Sequence, residues 1–579
     1  MLTDDQLQQF LLKRFDAYKS FKKDNVQSKH IENYKLYKSY RDQRLHDWQT
    51  NVFLSYTFGM IETILPRVVS YLWQGDKLVK AYPRGKEDAL QSRSVDRLLS
   101  WQVDTQIPNL FLEWVEVLKT ALIQGTGIGK LVWNVQSDEP NFFNIDIFDF
   151  YPQPFKKYVN DMEGCFHVYD MPVDLLLGRP NYKNVDKLKD GNMQTKDEDG
   201  NKQRDTEVGK LGNFTPDRKQ VLIYQYWGKI PVQERISVGE PQFQSESTVY
   251  KEALVELGNR KEIIRVQENP YVTPELPEGI RPFVVIKDYI DLNEFWGIGD
   301  VEPIKDMQYE SNELENQKLD SIKLIMNPMW KVSDQAGVDL SNMRAYPGNV
   351  VQYAEGSKGL ETLASPQIPP IVFQQQEWFR NQMNSTVGVS DYSRGQNAPG
   401  MSDTVGGISS LIEEANMRFQ YKIKCFQMTG IKEFAEKLFQ LDKIFIKGIE
   451  IPTRLDDAEG AEWMTISPDN LKGFFDIRPI PVSMIGNKLA KQQSVTALIG
   501  VMSKAPPLPS LIRQLLESYD LPNLEEAMSE MYQIWGIPMP GEAPQLPNMP
   551  GGVGTASPAQ IGSAPPVMPQ GMPQQMGGR

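Results

Sequence analysis

The glycine-rich segment Gly125–Lys130, with the sequence GTGIGK, is the first place where phosphate chemistry could be expected. A phosphate loop needs the pattern G-x-x-x-x-G-K-[ST], because its backbone N–H groups cradle the phosphates and its hydroxyl binds Mg²⁺. Gln124 occupies the position of the first glycine, and Leu131 occupies that of the hydroxyl residue. A helix also precedes the glycines and a strand follows them, which is the reverse order. The segment therefore predicts a helix-to-strand turn rather than a nucleotide site.

The acidic segment Lys196–Gly200 resembles part of a calcium-binding loop. When Gly200 is placed at the sixth position of such a loop, the twelfth position must carry a bidentate glutamate. That position is Thr206. A solvated acidic loop is the better interpretation.

Cys165 and His167 are the one Cys/His pair at a spacing that metal ligands use. Alternation along a strand would place them on the same face, but zinc requires three or four ligands. The sequence also lacks G-x-S-x-G, H-E-x-x-H and a glycine-rich dinucleotide turn. We therefore predict no metal, no cofactor and no enzymatic activity.

Charge and composition narrow the choice of partners. The 579-residue chain carries 75 acidic and 62 basic residues, a formal charge of −13, so as a whole it repels a polyanion. Proteins that grip DNA through its phosphates usually have the opposite balance. Any nucleic acid is expected to be held loosely or at a small local surface.

The expected compartment is a reducing cytoplasm. Only two cysteines, Cys165 and Cys425, occur, and they are too few for a disulfide framework. The N-terminus lacks a secretory apolar stretch. The most apolar segment, Val52–Trp73, contains Glu62, Pro66 and Arg67, which disfavour a membrane span.

Helical periodicity dominates the N-terminal quarter. Aromatic residues within 1–48 recur at three- and four-residue spacing and predict amphipathic helices. Residues 51–73 predict a mostly buried helix that Pro66 breaks or kinks. Residues 88–106 and 110–125 predict two more helices.

Short runs rich in β-branched and aromatic residues predict strands farther along the chain. They are Lys130–Val135, Phe142–Phe150, Cys165–Met171, Gln220–Tyr226, Ile263–Val266 and Phe283–Ile290. A polar insertion at residues 181–219 is expected to be a loop. The predicted fold class is α+β, mainly helical.

Two long helices are predicted at Gly297–Met326 and Ile371–Val387, antiparallel to each other, with a small β-rich module at their shared end. Their faces carry polar residues without strong charge. We expect these faces to serve packing between copies or a wet pore. The residues are Ser311, Asn312, Asn316, Gln317, Gln374, Gln375, Asn381 and Gln382.

The C-terminal third is predicted to alternate between helices and strands. A Gly- and Ser-rich loop at 391–402 precedes a helix from Thr404 past Phe445 that is interrupted near Gly430. Strands are expected within 450–484 and shorter helices within 487–535. The Pro-, Gly- and Met-rich tail beyond Gly536 is expected to be disordered.

Taken in order, these elements resemble the portal, or head-to-tail connector, proteins of tailed double-stranded-DNA bacteriophages. Local patterns contribute to the resemblance. Trp114–Trp133 is similar to the helix, glycine turn and strand of the family's wing domain, and Phe295–Ile304 is similar to the start of its first stem helix. Ser393–Thr404 is similar to the segment after the second stem helix, and Phe475–Pro481 with Asn487–Gln493 is similar to the strand and helix before the crown.

The resemblance implies a portal fold with a wing, a two-helix stem, a β-rich clip, a tunnel loop and a helical crown. The implied segments, by residue number, are the wing 1–296 with its insertion 181–219, the first stem helix 297–326, the clip 327–370, the second stem helix 371–389, the tunnel loop 390–404, the long wing helix and wing strands 405–486, the crown 487–536 and a disordered tail 537–579.

The resemblance also implies the function. The family forms a ring, expected to be dodecameric, at one capsid vertex, and the double-stranded DNA genome is packaged and ejected through its channel. The implied partners are the terminase large subunit, head-completion or tail adaptor proteins and the major capsid protein, with no membrane. The protein would be synthesised in the host cytoplasm and located at the portal vertex of the virion.

Candidate channel residues follow from the same resemblance. Arg394, with Gln396 and Asn397, is expected on the tunnel loop in contact with the DNA backbone, and Gly395 and Gly400 would let that loop shift. Lys318 and Lys323 could face the pore from the stem, or could be solvated or lie between subunits.

Three other interpretations remain open from the sequence. A scaffold or tail component would also lack catalytic residues, but would not need paired long helices around a β module. An ATP-dependent motor subunit is disfavoured by the missing phosphate loop. A helical enzyme without a recognisable site is the third.

Overall fold

The computed structural model describes thirteen stretches of the chain. They are residues 3–41, 49–73, 78–86, 88–179, 181–188, 220–237, 244–273, 275–326, 330–332, 360–362, 368–388, 417–452 and 463–480. All of them belong to the first of two compact units, residues 1–482, and the second unit, residues 483–579, lies outside them. Most of the predicted polar insertion 181–219, the Gly/Ser-rich loop, the crown helices and the tail also lie outside the described residues. The described part is a mixed α+β structure.

Six α-helices are described within the first 180 residues. They are α1 (Asp4–Lys22), α2 (Ser28–Tyr37), α3 (Tyr56–Leu72), α4 (Ala89–Trp101), α5 (Leu110–Gln124) and the short α6 (Val173–Leu177). π-helical turns at Lys23–Gln27 and Gln102–Gln106 follow α1 and α4. The helix α3 continues through Pro66, so a predicted break at this proline is wrong. Ile64 and Val68 on either side of the proline are fully buried, and this packing offsets the missing N–H.

Fourteen strands are described, and most pair antiparallel. They are β1 (Val79–Pro83), β2 (Thr126–Asn134), β3 (Glu139–Ile145), β4 (Phe150–Tyr151), β5 (Gly164–Pro172), β6 (Gln220–Ser237), β7 (Gln244–Gly258), β8 (Glu262–Glu268), β9 (Phe283–Lys287), β10 (Trp330–Val332), β11 (Leu360–Thr362), β12 (Ile449–Pro452), β13 (Trp463–Ile466) and β14 (Phe475–Pro479). A five-stranded sheet has the order β4-β5-β6-β7-β8, and a three-stranded sheet has the order β3-β2-β9. Three two-stranded sheets pair β1 with β14, β10 with β11 and β12 with β13.

The hairpin of β6 and β7 is the largest difference from the predicted strands. The prediction ended β6 at Tyr226 and missed β7, whereas the two strands pair without a break from Ile223/Gly258 to Ser237/Gln244. Residues 244–252 read QSESTVYKE, with only two large apolar side chains. The strand therefore depends on its ladder hydrogen bonds with β6 rather than on a local apolar pattern.

The helix α1 covers one face of the five-stranded sheet. Leu7, Leu11 and Phe15 recur every four residues on one side of α1 and are buried against Phe166, Tyr224 and other residues of the sheet. The Phe15 ring meets that of Tyr224 edge to face at 4.9 Å. The predicted amphipathic N-terminal helix is thus confirmed. A second, larger core lies between α3, α5, the three-stranded sheet and the C-terminal helices.

The long helices follow the strands. The helix α7 (Lys305–Met326) starts after a 3-10 turn at Glu302–Ile304, so the predicted helix starting at Gly297 is wrong by eight residues. Residues 297–301 are instead non-helical. Ile298 pairs antiparallel with Tyr289, and the glycines on either side of it pass close to the backbone of Gly125. The helix α8 spans Ile371–Val387, as predicted.

The C-terminal helix of this unit contains the predicted interruption. Residues 417–426 form α9, a π-helical turn follows at Gln427–Ile431, and α10 covers Lys432–Phe445. Gly430 lies in the π turn, where a Cβ would collide with the Ile286 side chain of β9. The irregularity near Gly430 therefore permits close packing on the sheet rather than ending the helix. Among the described helices, none is both long and apolar enough to cross a membrane.

Candidate functional site: the antiparallel helix pair and its base

The helices α7 and α8 form an antiparallel pair. Near the end of α7, the Lys318 ammonium donates to Gln376 Oε1 at 3.1 Å and lies over the Phe373 ring, both near the start of α8. The turn Glu302–Ile304 before α7 also contacts α8. Because α7 rises about 1.5 Å per residue, that contact must involve the other end of α8. The predicted orientation of the two helices is confirmed.

A small polar cluster joins the two helices at this end. Glu315 Oε2 accepts hydrogen bonds from Gln376 and from Lys318. Burial alone would raise the pKa of the Glu315 carboxyl, but the hydrogen bonds from Gln376 and Lys318 lower it below its ordinary value. The Lys318 side chain is only 12% exposed, because it fills the space between the helices.

Most of the surface of α8 is exposed. One narrow stripe packs inward, and it consists of Val372, Gln376, Phe379, Met383, Asn384 and Val387. Gln374, Gln375, Asn381 and Gln382 are exposed, as expected for a polar outer face. The same outer surface also carries Ile371, Phe373 and Trp378, and the Trp378 side chain is 54% exposed. A soluble helix rarely leaves several large apolar side chains in water without a partner surface.

One face of α7 binds the main chain of residues 50–57. Asn312 Oδ1 accepts from the Leu54 N–H at 2.9 Å, and Asn316 accepts from the Val52 N–H at 2.7 Å while donating to the Val52 carbonyl at 3.0 Å. Gln308 and Asp320 continue the pattern with Thr57 and Thr50. The side chains recur every four residues, about 6 Å along a helix, which matches about two residues of extended chain.

This ladder corrects the interpretation of the polar face on α7. Asn312 and Asn316 are buried and satisfied within the chain, and Ser311 is buried as well, whereas Gln317 is exposed. The face that we expected to pack between copies or to line a pore is therefore occupied by residues 50–57 of the same chain.

A buried ion cluster lies at the base of the helix pair. The ammonium of Lys422, in α9, donates to Asp288 Oδ2 at 3.0 Å and to Asp300 Oδ2 at 2.6 Å. All three side chains are almost completely buried, and the ammonium lies 4.6 Å from the centroid of the Tyr289 ring. Asp288 follows β9, and Asp300 precedes α7. The cluster thus joins three segments that are distant in sequence.

Burial and the neighbouring charges act on both ends of this ion pair. Burial, followed by repulsion from Asp300, raises the pKa of Asp288 well above its usual range. Burial would lower the pKa of Lys422, but Asp288 and Asp300 together raise it above its ordinary value. The ammonium therefore stays charged, and it is the group that compensates the two carboxyls.

The turn at Gly125 fixes the positions of both aspartates. The Asp288 N–H donates to the Gly125 carbonyl at 3.0 Å, and the Asp300 N–H donates to the Leu122 carbonyl at 2.8 Å. Gly125 has φ +84° and ends α5 immediately before β2, which confirms the predicted helix-to-strand turn. A Cβ at Gly125 would collide with the backbone of Gly297, so glycine is required at this close approach.

The acidic segment Lys196–Gly200 lies outside the described residues, whereas the Cys/His pair and Lys130 are buried in the sheets. Cys165 and His167 both lie in β5, and His167 Nδ1 is 3.2 Å from the ammonium of Lys130, the lysine that ends the GTGIGK segment. Lys130 also donates to Gln225. Within the described ranges, no three His, Cys, Asp or Glu side chains converge as a metal site would require.

The chain that contains this helix pair matches one protein family over most of the chain's length. The family model described as "Phage SU10 portal protein" matches residues 134–576. The chain belongs to the phage SU10 portal protein family. It is thus a bacteriophage portal protein, as the sequence resemblance indicated. None of the curated proteins shows significant sequence similarity to it.

The predicted channel residues of this portal protein are only partly within the described structure. The tunnel-loop residues Arg394, Gln396 and Asn397 and the hinge glycines Gly395 and Gly400 lie outside the described residues. Lys318 is buried in the helix pair, whereas the Lys323 side chain is 48% exposed and pairs with Asp320. The structure does not bring the two lysines to a common surface.

Sequence reasoning missed both the ladder and the ion cluster of the portal protein. The ladder had a local signal, since Gln308, Asn312, Asn316 and Asp320 follow one another at four-residue spacing. The cluster had none, because Lys422 is 134 residues from Asp288 and 122 residues from Asp300.

Proposed function

We propose that this portal protein assembles into a closed ring, dodecameric as in the family it resembles, whose central channel conducts the phage genome. The observation that carries this proposal is the antiparallel helix pair, in which α8 exposes Ile371, Phe373 and Trp378 while only a narrow stripe packs inward. If each copy contacts the next one head-to-tail around a closed ring, such a surface is buried in every copy. No catalytic step is proposed for the protein.

Within this ring, α7 and α8 form the stem. Residues 327–370 form the clip, on which the terminase large subunit docks, and residues 487–536 form the crown. Head-completion or tail adaptor proteins and the major capsid protein contact the assembled ring at the capsid vertex of the virion. The protein is made in the host cytoplasm before assembly. The short pair of β10 and β11 within 327–370 is consistent with a β-rich clip.

DNA contact is proposed for a few residues. Arg394, with Gln396 and Asn397, touches the DNA backbone from the tunnel loop, and Gly395 and Gly400 allow that loop to move. Of the two stem lysines, the exposure of Lys323 and the burial of Lys318 favour Lys323 as the one that reaches the channel. With a formal charge of −13 on each copy, the ring repels DNA overall, and this keeps friction low during transport.

Negative-stain imaging of the purified full-length protein tests the ring. We expect perforated particles with twelve-fold rotational symmetry. A compact monomer at micromolar concentration and in the presence of capsid protein would contradict the proposal, as would a filament without a central hole. The same preparation, mixed with the terminase large subunit, should show additional density at one end of the ring.

A further inference from the structure

The buried cluster of Lys422, Asp288 and Asp300 contains two acidic groups but a single basic one. Two carboxyls face one ammonium, and all three are buried. The aspartates are held by backbone hydrogen bonds to Gly125 and Leu122, so their positions do not depend on the lysine. Lys422 is the group that brings a separate element, α9, to this fixed pair.

The helix that carries Lys422 also contacts the end of α8. Arg418 lies one turn before Lys422, and its guanidinium is 3.5 Å from the Ser385 carbonyl oxygen in the last turn of α8. Carbonyls in the last turn of a helix lack partners within the helix, so a cation is favourable there. Arg418 and Lys422 both lie beside the Tyr289 ring. One turn of α9 is thus joined to the end of α8 and to the start of α7.

We propose that Lys422 is a positioning residue for the channel, because its ammonium fixes α9 against the start of the first stem helix. Gly388 and Met417 flank the segment that contains the proposed tunnel loop. Both residues lie next to this junction. The junction therefore sets where that segment leaves and rejoins the fold. The effect on the channel rests on the proposed function, whereas the effect on the junction does not.

Four variants of the full-length protein separate positioning from mere stability. Lys422→Met keeps the side-chain length and removes the charge. Lys422→Arg keeps the charge and changes the geometry of its donors. The triple variant Lys422→Met, Asp288→Asn and Asp300→Asn leaves no charged side chain in the cluster. Lys424→Met is the matched control, because Lys424 is exposed on the same helix two residues away.

Three measurements are made on each variant. They are the melting temperature, the hydrogen-exchange rate of the backbone in 302–304 and 417–426, and the DNA retained per head in a packaging assay with the cognate capsid and terminase. The first two do not involve DNA.

We expect Lys424→Met to behave as the wild type. Lys422→Met leaves two buried carboxyls without a cation, so it should melt about 5 to 10 °C lower and exchange roughly tenfold faster at both segments. The triple variant should recover most of the melting temperature, yet keep the fast exchange and the reduced DNA retention. Lys422→Arg should fold and retain less DNA than the wild type.

The proposal is overturned if Lys422→Met matches Lys424→Met in exchange and DNA retention. It is also overturned if the triple variant regains wild-type exchange and DNA retention, because the cluster would then contribute stability alone. If the triple variant does not fold, wild-type DNA retention by Lys422→Arg overturns it. A wild-type protein that forms no ring counts instead against the proposed function, since the exchange measurements still report on the junction.

Discussion

Asp442 is a carboxylic acid at a position where a carboxylate is poorly stabilised. It lies in α10, is fully buried and accepts a hydrogen bond from Gln102 Nε2 at 2.7 Å. Burial raises its pKa to about 8, although the hydrogen bond from Gln102 opposes this shift. The folded protein therefore holds a proton on Asp442 at pH values where the unfolded chain, with a pKa of about 4, has lost it.

The pH dependence of stability follows from this difference. Between about pH 4 and 8 the folded state binds the extra proton, so the Asp442 contribution is fully present below pH 4 and is lost as the pH rises to 8. We expect Asp442→Asn to be more stable than the wild type by about 1 to 3 kcal/mol at pH 8, with little difference near pH 5. Thermal unfolding at several pH values measures this.

The control for this variant is Asp469→Asn, at an exposed aspartate that pairs with Lys472 on the surface. Because Lys472 lowers the pKa of Asp469, this substitution should leave the stability–pH curve unchanged between pH 5 and 8. An Asp442→Asn protein that loses stability equally at pH 5 and pH 8 would show that the carboxyl is ionised in the fold.

Arg394 is the single residue on which the proposed DNA contact depends most. Arg394 lies outside α7 and α8 in sequence, so its replacement with alanine would remove a cation from the proposed tunnel loop and leave the sequence of both helices unchanged. We therefore expect Arg394→Ala to form normal rings but to change the amount of DNA packaged or retained. Ring imaging and a DNA-retention assay measure the two effects. Rings that fail to assemble would indicate a structural role instead.

At the scale of elements, the ladder between α7 and residues 50–57 is a side-chain-to-backbone interaction. It fixes the rotation of α7 about its own axis, since only one face carries Gln308, Asn312, Asn316 and Asp320. The faces left for the proposed channel and for neighbouring copies in the proposed ring are those that bear exposed residues such as Tyr309 and Gln317. A ladder to the backbone also places few demands on the side chains of 50–57.

Asn316 is the best position at which to weaken this ladder, because it both accepts from and donates to Val52. We expect Asn316→Ala to cost about 1 to 3 kcal/mol of stability and to speed hydrogen exchange within 50–57. Gln317→Ala, at the adjacent exposed position, should change neither quantity. Equal effects of the two substitutions would argue that the ladder adds no stability.

The exposed side of α8 leads to a separate prediction about assembly. Trp378 is a large apolar side chain that a neighbouring copy would bury, and such residues often dominate the energy of an interface. We expect Trp378→Ala to lower the yield of rings while the subunit melts at an unchanged temperature. Size-exclusion chromatography with light scattering measures this.

Gln382→Ala is the control for Trp378→Ala, because Gln382 is exposed on the same helix but is polar. It should assemble as the wild type does. A Trp378→Ala protein with a normal ring yield would move the subunit contact away from this face.

At the scale of the whole molecule, net charge would govern how the proposed ring interacts with DNA. Each copy carries a formal charge of −13, and a ring multiplies that value. We expect assembled rings to bind free linear duplex DNA weakly at about 150 mM salt, with affinity that varies little with ionic strength. A fluorescence anisotropy titration at several salt concentrations measures this. Tight, strongly salt-dependent binding would mean that the channel grips phosphates and does not merely guide them.

The family match begins at residue 134, which is the last residue of β2. The residues before it are nevertheless an integral part of the first unit. Trp114 of α5 is fully buried in the main core, α1 covers the five-stranded sheet, and residues 50–57 bind α7. The first unit of this chain thus includes residues that lie outside the match.

The sequence by itself determined the elements whose pattern is local. The apolar spacing in α1 and α5 and the glycine that ends α5 were enough to predict those two helices and the turn at Gly125. The order of elements also indicated the family. The tunnel loop, the crown and the tail, which fall within residues 389–416 and 483–579, remain predictions.

Only the tertiary structure decided the interactions between distant segments. The strand β7 forms because β6 offers it a ladder, and a polar run such as QSESTVYKE has no strand pattern of its own. The start of α7 is set by the close approach of Gly297 to Gly125, and Lys422 meets Asp288 and Asp300 only when three segments fold together. A single sequence records local periodicity, whereas these contacts depend on which distant residues the fold brings within hydrogen-bond distance.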